Sequence, residues 1–170
     1  MITLLVAATF MVFGFTSQAQ KFAYVDTSYI LENVPEYNSA QTRIDALTVE
    51  YQKEIEAKFA EIESLYRTFQ NEVILLPEEM KRKREEEIVT KEKEVKELQQ
   101  KRFGQSGDLF KKREELIKPI QEKIYTALEE VAAAGNYAII FDKAGSVSML
   151  FTDPRFDISE EVLAKMGYAF

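Results

Sequence analysis

Hydrophobic residues recur every three or four positions through the middle of the chain. Between Pro35 and Pro77 this spacing holds throughout, which is typical of one face of a long amphipathic helix. Between Pro77 and Pro119 the repeat continues, but polar side chains occupy several positions that a coiled-coil seam would fill with apolar ones. The pattern predicts two long helices that fold back on each other as an antiparallel arm over residues 38–118, with its tip near residues 74–79. The apolar positions of the first helix are Ile44, Leu47, Tyr51, Ile55, Phe59, Ile62, Tyr66, Phe69 and Val73.

Helix-breaking residues interrupt the second limb of this arm. Gly104 and Gly107 lie within it, and each costs about 1 kcal/mol of helix stability relative to alanine. Pro119 follows, and a proline inside a helix removes one backbone hydrogen bond and clashes with the preceding turn. We therefore predict that the arm bends at the two glycines and that the helix kinks at Pro119 as it enters a globular base.

Short apolar runs on both sides of the arm predict β-structure. Residues Phe22–Asp26, Tyr137–Asp142 and Val147–Thr152 are strand-like, and Lys143–Ser146 predicts a hairpin turn between the last two. The middle run has three successive apolar residues, Ile139–Phe141, as expected for a strand that is buried on both faces.

A short helix is predicted at the end of the chain. Asp157 or Ser159 can accept hydrogen bonds from first-turn amides and so cap a helix over residues 160–166. Gly167 is a suitable residue to end it.

These strands and short helices form a small body, residues 20–37 and 119–170. Bodies below about 70 to 80 residues usually need a covalent staple or an oligomer to bury enough apolar surface. The chain has no cysteine, so we expect oligomerisation. The strand residues expected to meet in the oligomer are Phe22, Tyr24, Val25, Ile139, Ile140, Phe141, Met149, Leu150 and Phe151.

The first nineteen residues differ from the rest of the chain. Residues 1–15 are uncharged and almost wholly apolar, and residues 16–19 place small residues in an S-x-A arrangement, as at a signal-peptide cleavage site. The apolar run is shorter than the roughly 20 residues of a membrane span. We predict export to the periplasm, cleavage after about Ala19 and no stable membrane insertion afterwards. An N-terminal membrane anchor is the alternative, and because the first basic residue is Lys21, the true start of translation can lie upstream.

Composition excludes many catalytic chemistries. The chain has neither cysteine nor histidine, so it lacks a thiol nucleophile, a histidine base and a thiolate zinc site. Neighbouring carboxylates such as Glu129 and Glu130 point about 100° apart on a helix and make a poor acid–base pair. A net charge of −7 disfavours binding to nucleic acid. We predict a protein that is not an enzyme and that uses no cofactor or metal.

The first arm helix has more aromatic bulk than its half-polar partner can cover. We expect part of this surface, together with the apolar run Val73–Leu76 at the tip, to bind a client protein. Alternatively, the aliphatic stems of Lys91, Lys101 and Arg102 cover the rings, and the tip closes against Met80. The predicted client-binding residues are Tyr51, Phe59, Ile62, Tyr66, Phe69, Leu75 and Leu76.

Four segments at the two ends of the chain are similar to segments of a known family. Residues 22–37 (FAYVDTSYILENVPEY) look like its opening strand and first helix, and Lys118–Ile120 look like its entry into the base. Residues 135–142 (GNYAIIFD) look like its second strand, and Asp157–Ser159 like the start of its closing helix. The chain thus resembles the Skp/OmpH family of periplasmic chaperones.

This resemblance implies an α+β fold in which a long antiparallel helical-hairpin arm extends from a small β-barrel body formed by trimerisation. It further implies an ATP-independent holding chaperone whose arms enclose a cavity for unfolded outer-membrane proteins. The resemblance also implies a strongly basic protein, whereas this chain has a pI near 4.9. Contact with lipopolysaccharide or anionic membranes therefore does not follow from the resemblance.

Two other functions are compatible with a helical hairpin. A structural coiled-coil tether or adaptor of the cell envelope needs an uninterrupted seam and distinct binding ends, whereas this seam is often polar and the chain returns to its start. A cytosolic prefoldin-like holdase carries its β-hairpins between the helices, whereas here the strands lie outside them. The holding chaperone agrees best with the sequence.

Overall fold

Long helices make up most of the fold. The computed structural model describes residues 20–145 and 149–168. Two short strands form a small sheet, and the remaining elements are helical. In chain order the elements are β1 (Lys21–Val25), α1 (Thr27–Glu32), α2 (Pro35–Glu72), α3 (Glu78–Phe103), α4 (Asp108–Gly135), β2 (Tyr137–Asp142), one 3₁₀ turn (Pro154–Phe156) and α5 (Ser159–Lys165).

Helices α2 and α3 pack against each other as an antiparallel hairpin, as the periodicity predicts. Pro35 is the first residue of α2 and Pro77 directly precedes α3, positions where a missing backbone N–H costs nothing. With 38 residues, α2 spans about 57 Å. The core between the two helices is narrow and aliphatic. Its buried residues are Ile55, Ile62, Ile88 and Val95.

The second limb is divided into two helices. Helix α3 ends at Phe103, and Gly104 and Gly107 both have extended backbone before α4 begins. A Cβ atom at Gly107 would lie 2.8 Å from the carbonyl oxygen of Lys101, so the close backbone approach requires glycine. Helix α4, in contrast, continues through Pro119 without interruption. The limb is therefore divided at the glycines, while the kink at Pro119 stays a prediction.

Strands β1 and β2 lie side by side and run parallel, with Ala23 opposite Ile140. Ile140 packs onto the body core, whereas Ile139 and Phe141 are 48% and 47% exposed. Successive side chains of a strand point to opposite faces, and only one face of β2 meets the helices. The prediction that β2 is buried on both faces is therefore wrong for a single chain.

The predicted β-hairpin is also wrong. Residues 149–152 form no strand, and residues 146–148 lie outside the described part of the chain. After β2 the Asp142 side chain accepts a hydrogen bond from the amide of Ala144 at 3.0 Å, which turns the chain locally. Lys143 N continues the pairing by donating to Val25 O at 2.8 Å. The chain thus leaves the sheet instead of folding back along β2.

The body core lies beneath the sheet, where α1, α2, α4 and α5 meet. Its most deeply buried side chains come from α1, the segment before α2, and α5, while α4 adds a continuous apolar face. Ala23 and Val25 cover this core from the sheet. The other buried members are Ile30, Val34, Ala40, Ile120, Ile124, Ala127, Val131, Ile158, Val162 and Leu163.

Helix α5 begins and ends close to the predicted positions. It starts at Ser159, whose amide donates to Oδ1 of Asp157 at 2.9 Å. It ends at Lys165, and Gly167, two residues later, has the left-handed backbone that closes the helix, with a φ of +92°. The amides of Gly167 and Tyr168 donate to the carbonyls of Ala164 and Leu163 at 3.0 and 2.9 Å, the hydrogen-bond pattern of a Schellman cap.

Candidate functional site

A shallow groove runs along the outer face of α2 in the arm. Phe59 and Tyr66 lie two helical turns apart and are 47% and 48% exposed. Ile62 lies between them, and the groove has a volume of about 440 Å³. Glu63 and Arg67 form an ion pair with each other at its edge. The groove can therefore accept an apolar group, and the two opposite charges at its edge neutralise each other.

The arm tip carries a second exposed apolar patch. Helix α2 ends at Glu72, and the amide of Leu75 donates to the carbonyl of Glu72 at 2.8 Å, which turns the chain. This turn leaves Ile74 and Leu75 88% and 85% exposed. Met80 is itself exposed and does not cover them, so the alternative of a closed tip does not hold for these two residues.

Tyr51 lies in a different environment, because Arg102 covers it. The guanidinium carbon of Arg102 lies 4.4 Å from the centre of the Tyr51 ring. The ring of Phe103 meets Tyr51 edge-on, with centroids 6.2 Å apart. Arg102 thus covers the Tyr51 ring with its guanidinium group, not with the aliphatic stem of the alternative above. Lys91 instead forms ion pairs with Glu61 and Glu94 at 3.8 and 3.4 Å.

The predicted client-binding residues therefore divide into three groups by their burial. Phe59, Tyr66 and Leu75 present apolar surface on the arm. Ile62 is buried between α2 and α3 and Phe69 packs partly on the same core, because both lie at the centre of the apolar stripe. Tyr51 and Leu76 are half-buried. Ile74, which belongs to the predicted apolar run Val73–Leu76 but is not among the seven named client-binding residues, is also exposed.

A larger apolar groove, of about 610 Å³, lies on the body beside the sheet. Phe22, Tyr24, Phe141, Met149 and Phe151 line it, and all five belong to the predicted oligomer surface. Phe156 also lines the groove; a lone aromatic residue in a turn gives no periodic signal by which the sequence could reveal it.

The other residues of the predicted oligomer surface divide between inside and outside. Ile139 and Leu150 are exposed beyond the groove. Val25 and Ile140 pack into the core of their own chain, and Tyr24 is also largely buried. A single chain therefore leaves one face of its sheet apolar and uncovered.

Residues 20–145 and 149–168 hold neither a cluster of metal ligands nor a membrane-spanning helix. No group of three or more potential metal-ligating side chains occurs among them. No helix of this part of the chain is long and apolar enough to cross a bilayer. Glu130, one of the paired carboxylates considered above, forms an ion pair with Lys165 at 2.7 Å.

Comparison with known proteins shows the family. The sequence profile of the family Outer membrane protein (OmpH-like) matches residues 21–166. This chain belongs to the OmpH-like family. It is 30% identical over 145 residues to an uncharacterized protein of Aquifex aeolicus (strain VF5), and the match covers 85% of both proteins.

A solved structure shares the fold. It is the crystal structure of a candidate outer membrane chaperone (OmpH-like) from Caulobacter crescentus CB15, with a TM-score of 0.70. The match covers 87% of this chain and 84% of that one, at 9% sequence identity. The resemblance to the Skp/OmpH family that the sequence carries is thereby confirmed.

Proposed function

We propose that this protein is a holding chaperone of the periplasm, which binds unfolded outer-membrane proteins without nucleotide and prevents their aggregation. The observation that carries the proposal is the exposed aromatic groove of Phe59 and Tyr66 together with the bare tip of Ile74 and Leu75. Family membership and the likeness to the Caulobacter crescentus protein support it.

Binding by these surfaces is weak at each site and strong in sum. An apolar side chain gains about 1.5 to 3 kcal/mol when it is fully covered, and a mobile client covers it only in part. Several arms that act on one unfolded chain raise the effective concentration of every site for that client. Retention therefore needs many contacts, and a change at one position has little effect.

The arms work together because the protein is a homotrimer in this proposal. The sheet faces of three subunits close into a common β-barrel, and the arms enclose a cavity below it. The exposed pair Ile139 and Phe141 and the body groove support this assembly, because a single chain leaves them in water.

Export precedes assembly in this proposal. Residues 1–19 lie outside the described part of the chain, and their sequence supports a signal peptide that is removed after about Ala19. The mature protein then acts in the periplasm, where unfolded outer-membrane proteins pass on their way to the outer membrane.

The test compares two variants that lose equal numbers of exposed apolar side chains. In the first, Phe59, Tyr66, Ile74 and Leu75 are changed to Ser. In the control, four exposed residues outside the groove and the tip are changed to Ser. These are Val49, Val89, Phe110 and Tyr125.

An unfolded outer-membrane barrel protein is diluted out of urea with each purified variant, in buffer without nucleotide, and aggregation is followed by light scattering. The wild type and the control should suppress aggregation, and the groove-and-tip variant should lose most of the protection while keeping its mass. Equal protection by both variants would place the binding surface elsewhere. No protection by the wild type would favour the structural tether.

A further inference from the structure

Three helices of the arm meet at one arginine. Arg102 Nε donates to Oε2 of Glu54 in α2 at 2.9 Å, and Nη2 lies 3.3 Å from the other oxygen of that carboxylate. Nη1 donates to Oδ2 of Asp108 in α4 at 2.5 Å. The guanidinium plane also covers Tyr51 of α2. One side chain on α3 thus contacts both neighbouring helices at the same level of the arm.

This contact lies at the break in the second limb. Arg102 is in the last turn of α3 and Asp108 is the first residue of α4, so the Arg102–Asp108 ion pair spans the non-helical backbone of Gly104 and Gly107. Glu54 lies on the uninterrupted helix α2. The two ion pairs therefore hold the broken limb against the continuous one.

The geometry depends on properties that arginine has and lysine lacks. A guanidinium offers a planar fork of donors that can bond two carboxylates while one face stacks on an aromatic ring. The Arg102 side chain is 22% exposed, less than Lys91, which is 31% exposed and whose ion pairs are longer. Its two carboxylate partners raise the pKa of Arg102 above its usual range, although burial opposes this shift, so it keeps its charge.

We propose that Arg102 stiffens the arm at the Gly104–Gly107 break, because its ion pairs hold α3 and α4 against α2. We call Arg102 and these two ion pairs the latch. When the latch opens, the arm resists bending at this level through α2 alone, and the last turn of α3 separates from its neighbours. The latch acts within one subunit and does not depend on what the arm binds.

The latch should respond to salt. Its ion pairs are partly exposed, and ions at about 0.5 M screen charges over only a few Å. The burial of Ile55, Ile62, Ile88 and Val95 is not weakened by salt. High salt should therefore loosen the arm at the break and leave the remaining arm core intact.

Spin labels can measure this stiffness, because the chain has no cysteine of its own. Ser64→Cys places a label on the exposed distal part of α2, and Ala133→Cys places one on α4 in the body. Labelled subunits are mixed with an excess of unlabelled ones, so that the pulsed dipolar signal reports the distance within one chain. The width of the distance distribution measures how far the arm bends.

The decisive variant is Arg102→Gln, and Arg84→Gln is the matched control. Arg84 pairs with Glu87 at 2.9 Å, one turn away on the same helix. Its loss therefore removes an ion pair within α3 and not one between helices. Arg102→Gln should broaden the distance distribution. It should also speed amide exchange in residues 100–108 by about tenfold, the size expected for a lost charge-assisted hydrogen bond. Arg84→Gln should change neither.

Two further measurements keep the test decisive if Arg102→Gln fails to fold. Arg102→Lys keeps the charge but loses the fork and should give an intermediate broadening. The wild type in 0.5 M NaCl should broaden, while Arg102→Lys should change less with salt. Unchanged distances and unchanged exchange in Arg102→Lys and in salt-treated wild type would overturn the latch.

Discussion

The hydroxyl of Tyr168 donates a hydrogen bond to Oε2 of Glu36 at 2.6 Å, across 132 residues of sequence. Tyr168 follows the Gly167 turn that ends α5, and Glu36 lies in the first turn of α2. This hydrogen bond, together with burial, raises the pKa of Tyr168 to about 12. The same bond lowers the pKa of Glu36 below its ordinary value. The end of the described chain is thus tied to the base of the arm.

The Tyr168–Glu36 bond should make stability fall at alkaline pH. In the unfolded chain the tyrosine ionises near pH 10, whereas in the folded chain it stays neutral until about 12. Its contribution is therefore fully present below pH 10 and is lost as the pH rises to 12. Tyr168→Phe should show a shallower loss in this window, measured as urea midpoints at successive pH values. Tyr125→Phe, an exposed tyrosine of α4, is the control, and equal slopes for all three proteins would contradict the prediction.

Identical substitutions in the body and at the tip should differ strongly in stability. Leu163 is fully buried in the body core, and Leu163→Ala should cost about 2 to 5 kcal/mol of unfolding free energy. Leu75 is exposed, and Leu75→Ala should change this free energy by less than about 0.5 kcal/mol. Denaturant unfolding at one protein concentration measures both. Similar losses would mean that the tip is packed in solution.

Substitutions at the two helix ends with left-handed backbone should have different effects on stability. Gly167 has a φ of +92°, and Gly167→Ala should cost about 1 kcal/mol because a Cβ atom strains this conformation. Asn136, which ends α4, has a φ of 54°, and Asn136→Gly should leave stability unchanged or raise it slightly. Thermal melting of both variants is the measurement, and a tolerated alanine at position 167 would argue against the cap.

The exposed face of β2 should control assembly. Ile139→Asp puts a charge on a surface that packs only if subunits meet, so it should lower the mass of the particle while the subunit keeps its helical content. Ile74→Asp makes the same change at the arm tip and should leave the mass unaltered. Light scattering with circular dichroism distinguishes the two. An unchanged mass for Ile139→Asp would show that this face is not an interface.

Local pattern predicted the arm better than it predicted the sheet. The spacing of apolar residues determines α2 and its contact with α3, because helix periodicity and burial act over a few residues. The β-hairpin prediction failed because β2 pairs with β1, its distant partner in sequence, and residues 149–152 form no strand; local periodicity does not encode which strands pair.

The binding surface was predicted only in part, for a geometric reason. Apolar positions at spacings of three and four cover a wide stripe, of which the centre is buried and the edges are exposed. Which residues lie at the edge of the stripe depends on how α3 packs against α2. Ile62 is therefore buried, whereas Phe59 and Tyr66 are exposed. The cover over Tyr51 depends likewise on where Arg102 falls across the hairpin.

The parallel pairing of β1 with β2 has a consequence for the order of folding. Thr27 Oγ1, just after β1, donates to Oδ2 of Asp142 at the end of β2 at 2.8 Å, and 115 residues separate them. The whole arm is a loop between these partners, and closing so long a loop is slow, whereas the helical hairpin forms from near neighbours. The first strand is synthesised long before its partner exists. We therefore expect the arm to fold before the sheet, which can be completed only once the segment that holds β2 is available.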